Sequence, residues 1–156
     1  MIYGVIIFLL AIGDLTVKQL IERQEAETFP RPLEGTKGKI LLYQNHNAGF
    51  PFGVFKKHED LVRMLPLAVT SALAGALAAL AAGKEKVVRK LALATVIGGS
   101  LSNLYDRFVR RYVVDYFSIQ IGPLKKVVFN LGDVCVFLGS VVLILAELAE
   151  EIRGKK

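Results

Sequence analysis

The stretch LPLAVTSALAGALAALAA at residues 65–82 carries no charged side chain. A second stretch, VCVFLGSVVLILA at residues 134–146, is equally free of charge. A helix of a soluble four-helix bundle needs polar residues every three or four positions on its outer face, and both stretches have almost none. A helix that crosses the hydrocarbon core of a bilayer instead needs about 20 predominantly apolar residues. Both stretches therefore predict transmembrane helices.

The rest of the chain contains two more segments of this kind. Hydrophobic residues make up 53% of the 156 residues, and the mean hydropathy is +0.47. The first segment lacks a basic n-region and a small-residue cleavage site, so we expect a retained helix rather than a cleavable signal peptide. We expect an all-α membrane protein with one polytopic domain, residues 1–156, and four transmembrane helices near residues 1–20, 61–82, 87–104 and 127–149.

Two polar loops separate these segments. The loop at residues 21–60 has an apolar run at residues 40–43, which predicts a short strand and hence a small extracytoplasmic β element between helices 1 and 2. In the loop at residues 105–126, apolar side chains alternate with their neighbours around Asp115. This alternation predicts an extended segment with Asp115 on the same face as Val113 and Phe117.

The basic residues suggest how the helices are oriented. The net charge is +6, but Lys and Arg lie mainly at the ends of apolar segments, so we expect membrane anchoring and no nucleic-acid partner. Residues 83–90 and 150–156 hold seven Lys or Arg in fifteen positions, whereas the two loops hold eleven in sixty-two. The positive-inside rule therefore predicts that both termini are cytoplasmic.

Asp14 and Lys18 place opposite charges inside the first apolar segment. A charged side chain at the centre of a spanning helix costs about 2.5 to 3.5 kcal/mol, so each one needs a partner or a function. The four-residue spacing puts both on one helical face, as in an ion pair. We interpret them as a structural pair near the helix end, with Lys18 extending toward the interface.

The sequence GGSLSNLYDR at residues 98–107 ends the third segment. Its glycines allow close approach between helices, and Asn103, Asp106 and Arg107 share a helical face. Two interpretations are open: helix packing with an interfacial Asp-Arg pair, or a functional site.

The sequence FNLGD at residues 129–133 places Asn130 and Asp133 one helical turn apart. Asp133 is expected as the seventh residue of its span and has no basic residue within a turn. A lone carboxylate at that depth favours a functional site with a partner from elsewhere in the fold over a hydrogen bond between helices. NAGFPFG at residues 47–53 is either a turn or an aromatic anchor at the membrane interface.

In this order, the clusters resemble those of lipoprotein signal peptidases (signal peptidase II), a family of four-helix membrane proteases. The resemblance extends from Asp14 to Asp133 and includes Val-Val-Asp at residues 113–115. It implies an aspartic endopeptidase with Asp115 and Asp133 as the catalytic pair, and with no metal or other cofactor. It also implies supporting or substrate-binding roles for Asp14, Lys18, Asn47, Gly49, Asn103, Asp106, Arg107 and Asn130.

The resemblance also implies a substrate and a location. The substrate is a prolipoprotein whose lipobox cysteine carries diacylglycerol, and the cut falls just before that cysteine. The enzyme is implied to be a monomer in the lipid of the bacterial cytoplasmic (inner) membrane, with its site near the outer leaflet. Ser102 and Gly132 stand where the family commonly has glycine and alanine, and Phe50-Pro51 where two small residues are common. These departures affect the expected substrate fit more than the chemistry.

Two other functions are alternatives. A serine protease would use Ser100, Ser102 or Ser118 with Lys125 or Lys126, but the chain has no Gly-x-Ser-x-Gly, and we expect no serine beside a lysine inside a span. A non-enzymatic transporter or scaffold would use the buried carboxylates as a proton or cation relay. Four spans without repeats or broken helices argue against transport.

Overall fold

The computed structural model describes residues 1–49, 58–81, 83 and 87–154. These residues form long helices, one small sheet and short helical turns. The long helices are α1 (Ile2–Glu22), α2 (Glu59–Ala81), α3 (Val87–Tyr105) and α4 (Leu131–Gly154), the strands are β1 (Arg31–Pro32), β2 (Ile40–Asn47) and β3 (Val113–Ile119), and the turns are Ala26–Thr28, Asp106–Arg110 and Gly122–Lys126.

Three helices of the described residues, α1, α2 and α4, are long and apolar enough to cross a membrane. They expose large apolar side chains such as Phe8, Met64 and Phe137, which suits contact with lipid. α3 matches the predicted third span within a residue, but Arg89, Lys90 and its polar C-terminal end make it less apolar. The chain is therefore a mostly helical membrane protein, and the crossing of the membrane by α3 stays a prediction.

α3 contacts the other three long helices, and most of its residues are buried. Its glycines explain how closely these helices pack. A Cβ added to Gly98 would lie 3.1 Å from Ile7 O of α1, and one added to Gly99 would lie 2.4 Å from Gly132 O of α4. The prediction that these glycines allow close helix approach is confirmed.

The sheet joins the two polar loops. Its order is β1-β2-β3 with antiparallel pairing. The strand predicted at residues 40–43 lies within β2, and the extended segment predicted around Asp115 is β3. The sheet is thus not confined to the first loop, because β3 comes from the loop between α3 and α4. Its pairing register sets Asn45 opposite Asp115 and Asn47 opposite Val113.

β3 is buried on both faces at its start. Asp115 shares its face with Val113 and Phe117, as strand geometry requires. Val114 and Tyr116, on the opposite face, are also buried and pack in an apolar cluster with Ile21 of α1. The alternation in the sequence therefore located the strand but understated how deeply Asp115 lies.

α4 begins at Leu131, four residues later than predicted. The preceding apolar residues are not helical, because Phe129 forms an isolated bridge with Phe117 of β3. Asp133 is consequently the third residue of the helix and not the seventh. The expectation that it lies well inside the span is wrong, since it belongs to the first turn.

Candidate active site

Asp115 is a buried carboxylate held by two amide groups. Asn130 Nδ2 donates to its Oδ1 at 2.8 Å, and Asn47 Nδ2 donates to its Oδ2 at 3.2 Å. Only 3% of the residue is exposed. Burial, followed by the nearby charge of Asp133, raises the pKa of Asp115 to about 7, although both amide hydrogen bonds oppose the shift. Asp115 can therefore carry a proton near neutral pH.

Asp133 is fixed by the N-terminus of its own helix. Asn130 Oδ1 accepts a hydrogen bond from Asp133 N at 2.8 Å, and Asp133 Oδ2 accepts one from Asn130 N at 3.2 Å. This reciprocal pair has the arrangement of a capping box. Because the remaining amide group of Asn130 reaches Asp115, this one buried side chain links the two aspartates.

The second oxygen of Asp133, Oδ1, is connected through Asn103 to the buried ammonium group of Lys18. Asn103 Nδ2 donates to Asp133 Oδ1 at 2.9 Å, and Asn103 Oδ1 accepts from Lys18 Nζ at 2.8 Å. The partner expected from elsewhere in the fold is thus an asparagine of α3. Lys18 orients this amide. An ammonium group can only donate, so Lys18 binds the Asn103 carbonyl oxygen and leaves the Asn103 NH2 group to donate to Asp133.

Asp14 and Lys18 form the predicted ion pair, with Lys18 Nζ 2.9 Å from Asp14 Oδ2. Both side chains are fully buried, so the expectation that Lys18 extends to the interface is wrong. The ammonium group turns inward because acceptors surround it. Asp106 Oδ2 lies 3.0 Å away, and Ser102 Oγ accepts at 3.0 Å.

Asp106 and Arg107 connect the end of α3 to the sheet. Asp106 Oδ2 also accepts from Val114 N at 3.1 Å, and its Oδ1 accepts from Arg110 Nη1 at 2.9 Å. Arg107 Nη1 donates to Gly49 O at 3.2 Å. Gly49 N in turn donates to Asn47 Oδ1 at 3.1 Å, which orients the amide that reaches Asp115.

One hydrogen-bonded network thus contains every site residue expected from the sequence. A branch from Asp115 runs through Asn47 and Gly49 to Arg107. The other branch joins Asn130, Asp133, Asn103, Lys18, Asp14 and Asp106. Residues 50–53 of the first-loop motif lie outside the described residues.

Similarity to known proteins assigns the chain to a family. A family profile described as "Signal peptidase (SPase) II" matches residues 6–149. The chain belongs to the signal peptidase II family. It is 30% identical over 145 residues to the lipoprotein signal peptidase of Sulfurihydrogenibium sp. (strain YO3AOP1), across 90% of this chain and 87% of the relative. It is 30% identical over 155 residues to that of Sphingopyxis alaskensis, across 95% and 84%.

Solved structures support the fold of this signal peptidase II member. A bacterial membrane enzyme solved by the in meso method at 2.3 Å superposes with a TM-score of 0.78, covering 99% of this chain and 91% of the other. A second bacterial membrane enzyme, solved at 1.9 Å, superposes with a TM-score of 0.74 and covers 94% of this chain and 92% of the other. Both are 20% identical to this chain, so the likeness shows the shared fold.

Two side chains that bind Asp14 were not among the expected supporting residues. Tyr116 hydroxyl donates to Asp14 Oδ1 at 2.9 Å, and Ser102 Oγ donates to Asp14 Oδ2. From the sequence, Ser102 is a departure from the family pattern and one of the three serines that a serine protease would use. The signal for Tyr116 was its position beside Asp115 in an apolar strand, because a buried tyrosine usually has a partner for its hydroxyl.

The contact between Ser102 and Lys18 contradicts the expectation that no serine lies beside a lysine inside a span. It does not make a serine nucleophile. Lys18 is an ammonium group paired with Asp14 and Asp106, so it has no free lone pair with which to act as a base. Ser102 is also fully buried and donates its proton to Asp14.

Proposed function

We propose that this member of a protease family is an aspartic endopeptidase, with Asp115 and Asp133 as the reacting pair. The observation that carries the proposal is the junction made by Asn130, which contacts both aspartates from the start of α4. Each carboxylate also receives an amide from a separate element, Asn47 of β2 for Asp115 and Asn103 of α3 for Asp133. This support fixes the pair, in which Asp115 is buried and Asp133 is half-buried.

The chemistry follows from sharing one proton. Two neighbouring carboxylates with little solvent cannot both ionise cheaply, so the pair keeps a proton near neutral pH. The ionised member takes a proton from a water molecule that attacks the scissile carbonyl. The protonated member donates to the carbonyl oxygen, and a proton then passes to the leaving amine. The raised pKa of Asp115 supports the retention of a proton by the pair.

The substrate we infer is a prolipoprotein signal peptide, cut just before a lipobox cysteine that carries diacylglycerol. The names of the relatives, lipoprotein signal peptidases, support a lipoprotein precursor. Exposed apolar side chains on α1, α2 and α4 would leave the acyl chains in lipid while the peptide enters the site. We place the enzyme in the bacterial cytoplasmic membrane as a monomer, with the site near the outer leaflet.

The test is cleavage by the purified protein in lipid bilayers. Two prolipoprotein substrates are compared, one with the diacylglyceryl group and one without it. We expect cleavage before the modified cysteine of the lipidated form, and no loss of rate with a chelator or a serine-directed reagent. Equal cleavage of both forms would refute the substrate, and inhibition by a serine reagent would refute the mechanism. Ion flux without cleavage would favour a transporter.

A further inference from the structure

No hydrogen bond joins Asp14 to either member of the proposed reacting pair, yet its carboxylate accepts from four donors. Lys18 Nζ and Ser102 Oγ approach Oδ2. Tyr116 hydroxyl at 2.9 Å and Leu131 N at 3.0 Å approach Oδ1. Asp14 is fully buried, so this environment is built entirely by protein groups of α1, α3, β3 and α4.

The donors on Oδ1 join the two segments that carry the aspartates. Tyr116 follows Asp115 directly in β3, and Leu131 is the first residue of α4, two positions before Asp133. Tyr116 hydroxyl also accepts from Leu131 N at 2.9 Å. One tyrosine hydroxyl therefore ties β3 to the N-terminus of α4, and it adds to the Asn130 and Phe117–Phe129 contacts that join the same two segments.

The donors on Asp14 Oδ2 connect this carboxylate to Asp133. Ser102 Oγ donates to Asp14 and accepts from Lys18, so it completes the ion pair from α3. Lys18 donates in turn to Asn103, the neighbour of Ser102, which donates to Asp133. A serine hydroxyl thus fixes the ammonium group that orients the Asn103 amide toward Asp133.

We propose that Ser102 and Tyr116 are positioning residues for the Asp115–Asp133 pair, acting through the buried Asp14–Lys18 ion pair. This inference rests on the proposed aspartic mechanism. Neither hydroxyl contacts a carboxylate of the pair, so each works by fixing where and how the carboxylates face each other. A reacting geometry displaced by about 1 Å can cost on the order of 100-fold in rate.

A positioning role differs measurably from a purely structural one. When two acids interact, the spacing of their apparent pKa values reports the strength of that interaction. Loosening the tie between β3 and α4 weakens the coupling and brings the two apparent pKa values of the pH–rate profile closer together. A hydroxyl that only stabilises the fold would change the folded fraction and leave the profile where it is.

The experiment measures kcat, KM and the pH dependence of kcat for Tyr116→Phe and Ser102→Ala with a lipidated prolipoprotein in bilayers. Matched controls are Tyr112→Phe, whose hydroxyl donates to Glu22, and Thr95→Val on α3, whose hydroxyl donates to Leu91 O. Thermal unfolding gives the folded fraction, and wild type and Asp115→Asn serve as references.

We expect kcat to fall about 10- to 100-fold in both test variants per folded molecule, with KM changed less than about twofold and a narrower pH profile. The controls should match wild type. Wild-type kcat per folded molecule, or a loss of kcat with an unchanged profile, would overturn the positioning role. If the positioning role is overturned while wild type cleaves and Asp115→Asn does not, the proposed mechanism still stands. If wild type itself does not cleave, the proposed function falls first.

Discussion

Asp115 couples the stability of the protein to pH. Its folded-state pKa is raised to about 7, mainly by burial, above the ordinary value of 3.8. Between those two values the folded state binds more protons than the unfolded state, so the free energy of unfolding falls as pH rises through that window. The full shift corresponds to at most about 4 kcal/mol.

We therefore predict that the wild-type unfolding temperature in detergent falls between about pH 4 and pH 7, and that Asp115→Asn removes much of this fall. Asparagine keeps the shape of the side chain and cannot ionise. Asp60→Asn, a change at an exposed position of α2, is the control and should keep the wild-type slope. Equal slopes in Asp115→Asn and wild type would show that Asp115 is ionised throughout.

Asn130 combines a structural and a functional task. Its side chain caps α4 through Asp133 N and donates to Asp115. We predict that Asn130→Ala lowers the free energy of unfolding by about 1 to 2 kcal/mol, as for a lost helix cap, and lowers cleavage far more than that loss explains. Asn45→Ala, at an exposed position of β2, is the control for both measurements. Cleavage reduced only in step with the folded fraction would contradict the link.

At the residue scale, spacing along the chain predicted contacts within one helix but not contacts between distant segments. Asp14 and Lys18 were paired from their four-residue separation, because helical geometry alone brings them together. Their contacts with Ser102 and Tyr116 span more than eighty residues of chain, and no periodicity encodes them. The reacting roles of Asp115 and Asp133 came from the resemblance and remain a proposal.

The crossing of α3 and α4 depends on two facing glycines. A Cβ on Gly99 would lie 2.4 Å from Gly132 O, and one on Gly132 would lie 2.8 Å from Gly99 O. Because the obstacle is backbone, we predict that Gly99→Ala destabilises the protein by about 1 to 3 kcal/mol or more. Gly75→Ala in α2 meets nothing within 4 Å and should be neutral or stabilising by up to about 1 kcal/mol, since alanine favours helix.

Thermal or denaturant unfolding in detergent measures both glycine variants. Gly99→Ala should also lower cleavage, because Gly132 directly precedes Asp133 and a shift of α4 moves that carboxylate. If the Gly99→Ala protein is as stable and active as the Gly75→Ala protein, α3 and α4 do not approach as closely at Gly99 as the structure shows.

At the element scale, the helix bounds were predicted where apolar runs ended in charge. α1, α2 and α3 begin and end within two residues of expectation. The start of α4 was missed because Val127, Val128 and Phe129 continue the apolar run. The bridge between Phe129 and β3 and the Asn130 cap delay the helix. The union of β3 with β2 was missed because strand partners are set by tertiary contact.

The orientation of the whole molecule remains a prediction from charge density. We predict that the sheet faces outward and that the end of α4 is cytoplasmic. In a Cys135→Ala background, a cysteine at Lys39 should react with an impermeant thiol reagent in whole cells. A cysteine at Arg153 should react only after lysis. Both positions are exposed in the structure. The reverse labelling pattern would refute the topology and the outward-facing site.

The class of the whole molecule was predictable because the stretches at residues 65–82 and 134–146 are too apolar for a soluble bundle. What composition could not supply is the central place of α3, whose small residues let the other helices close around it. Nor does composition show that four separate segments meet at one carboxylate, Asp14, beside the candidate site.

The central claim is that Asp115 and Asp133 react as one unit. The most direct measurement is single-turnover cleavage of a lipidated prolipoprotein by Asp115→Asn, Asp133→Asn and the double variant. Each single change should lower the rate by about 10³-fold or more, and the double variant should be scarcely worse, because either change leaves the other carboxylate without its proton-sharing partner. Asp106→Asn should lower the rate less, and Asp60→Asn should match wild type. Substantial cleavage by either single variant, at folded levels equal to wild type, would contradict the account.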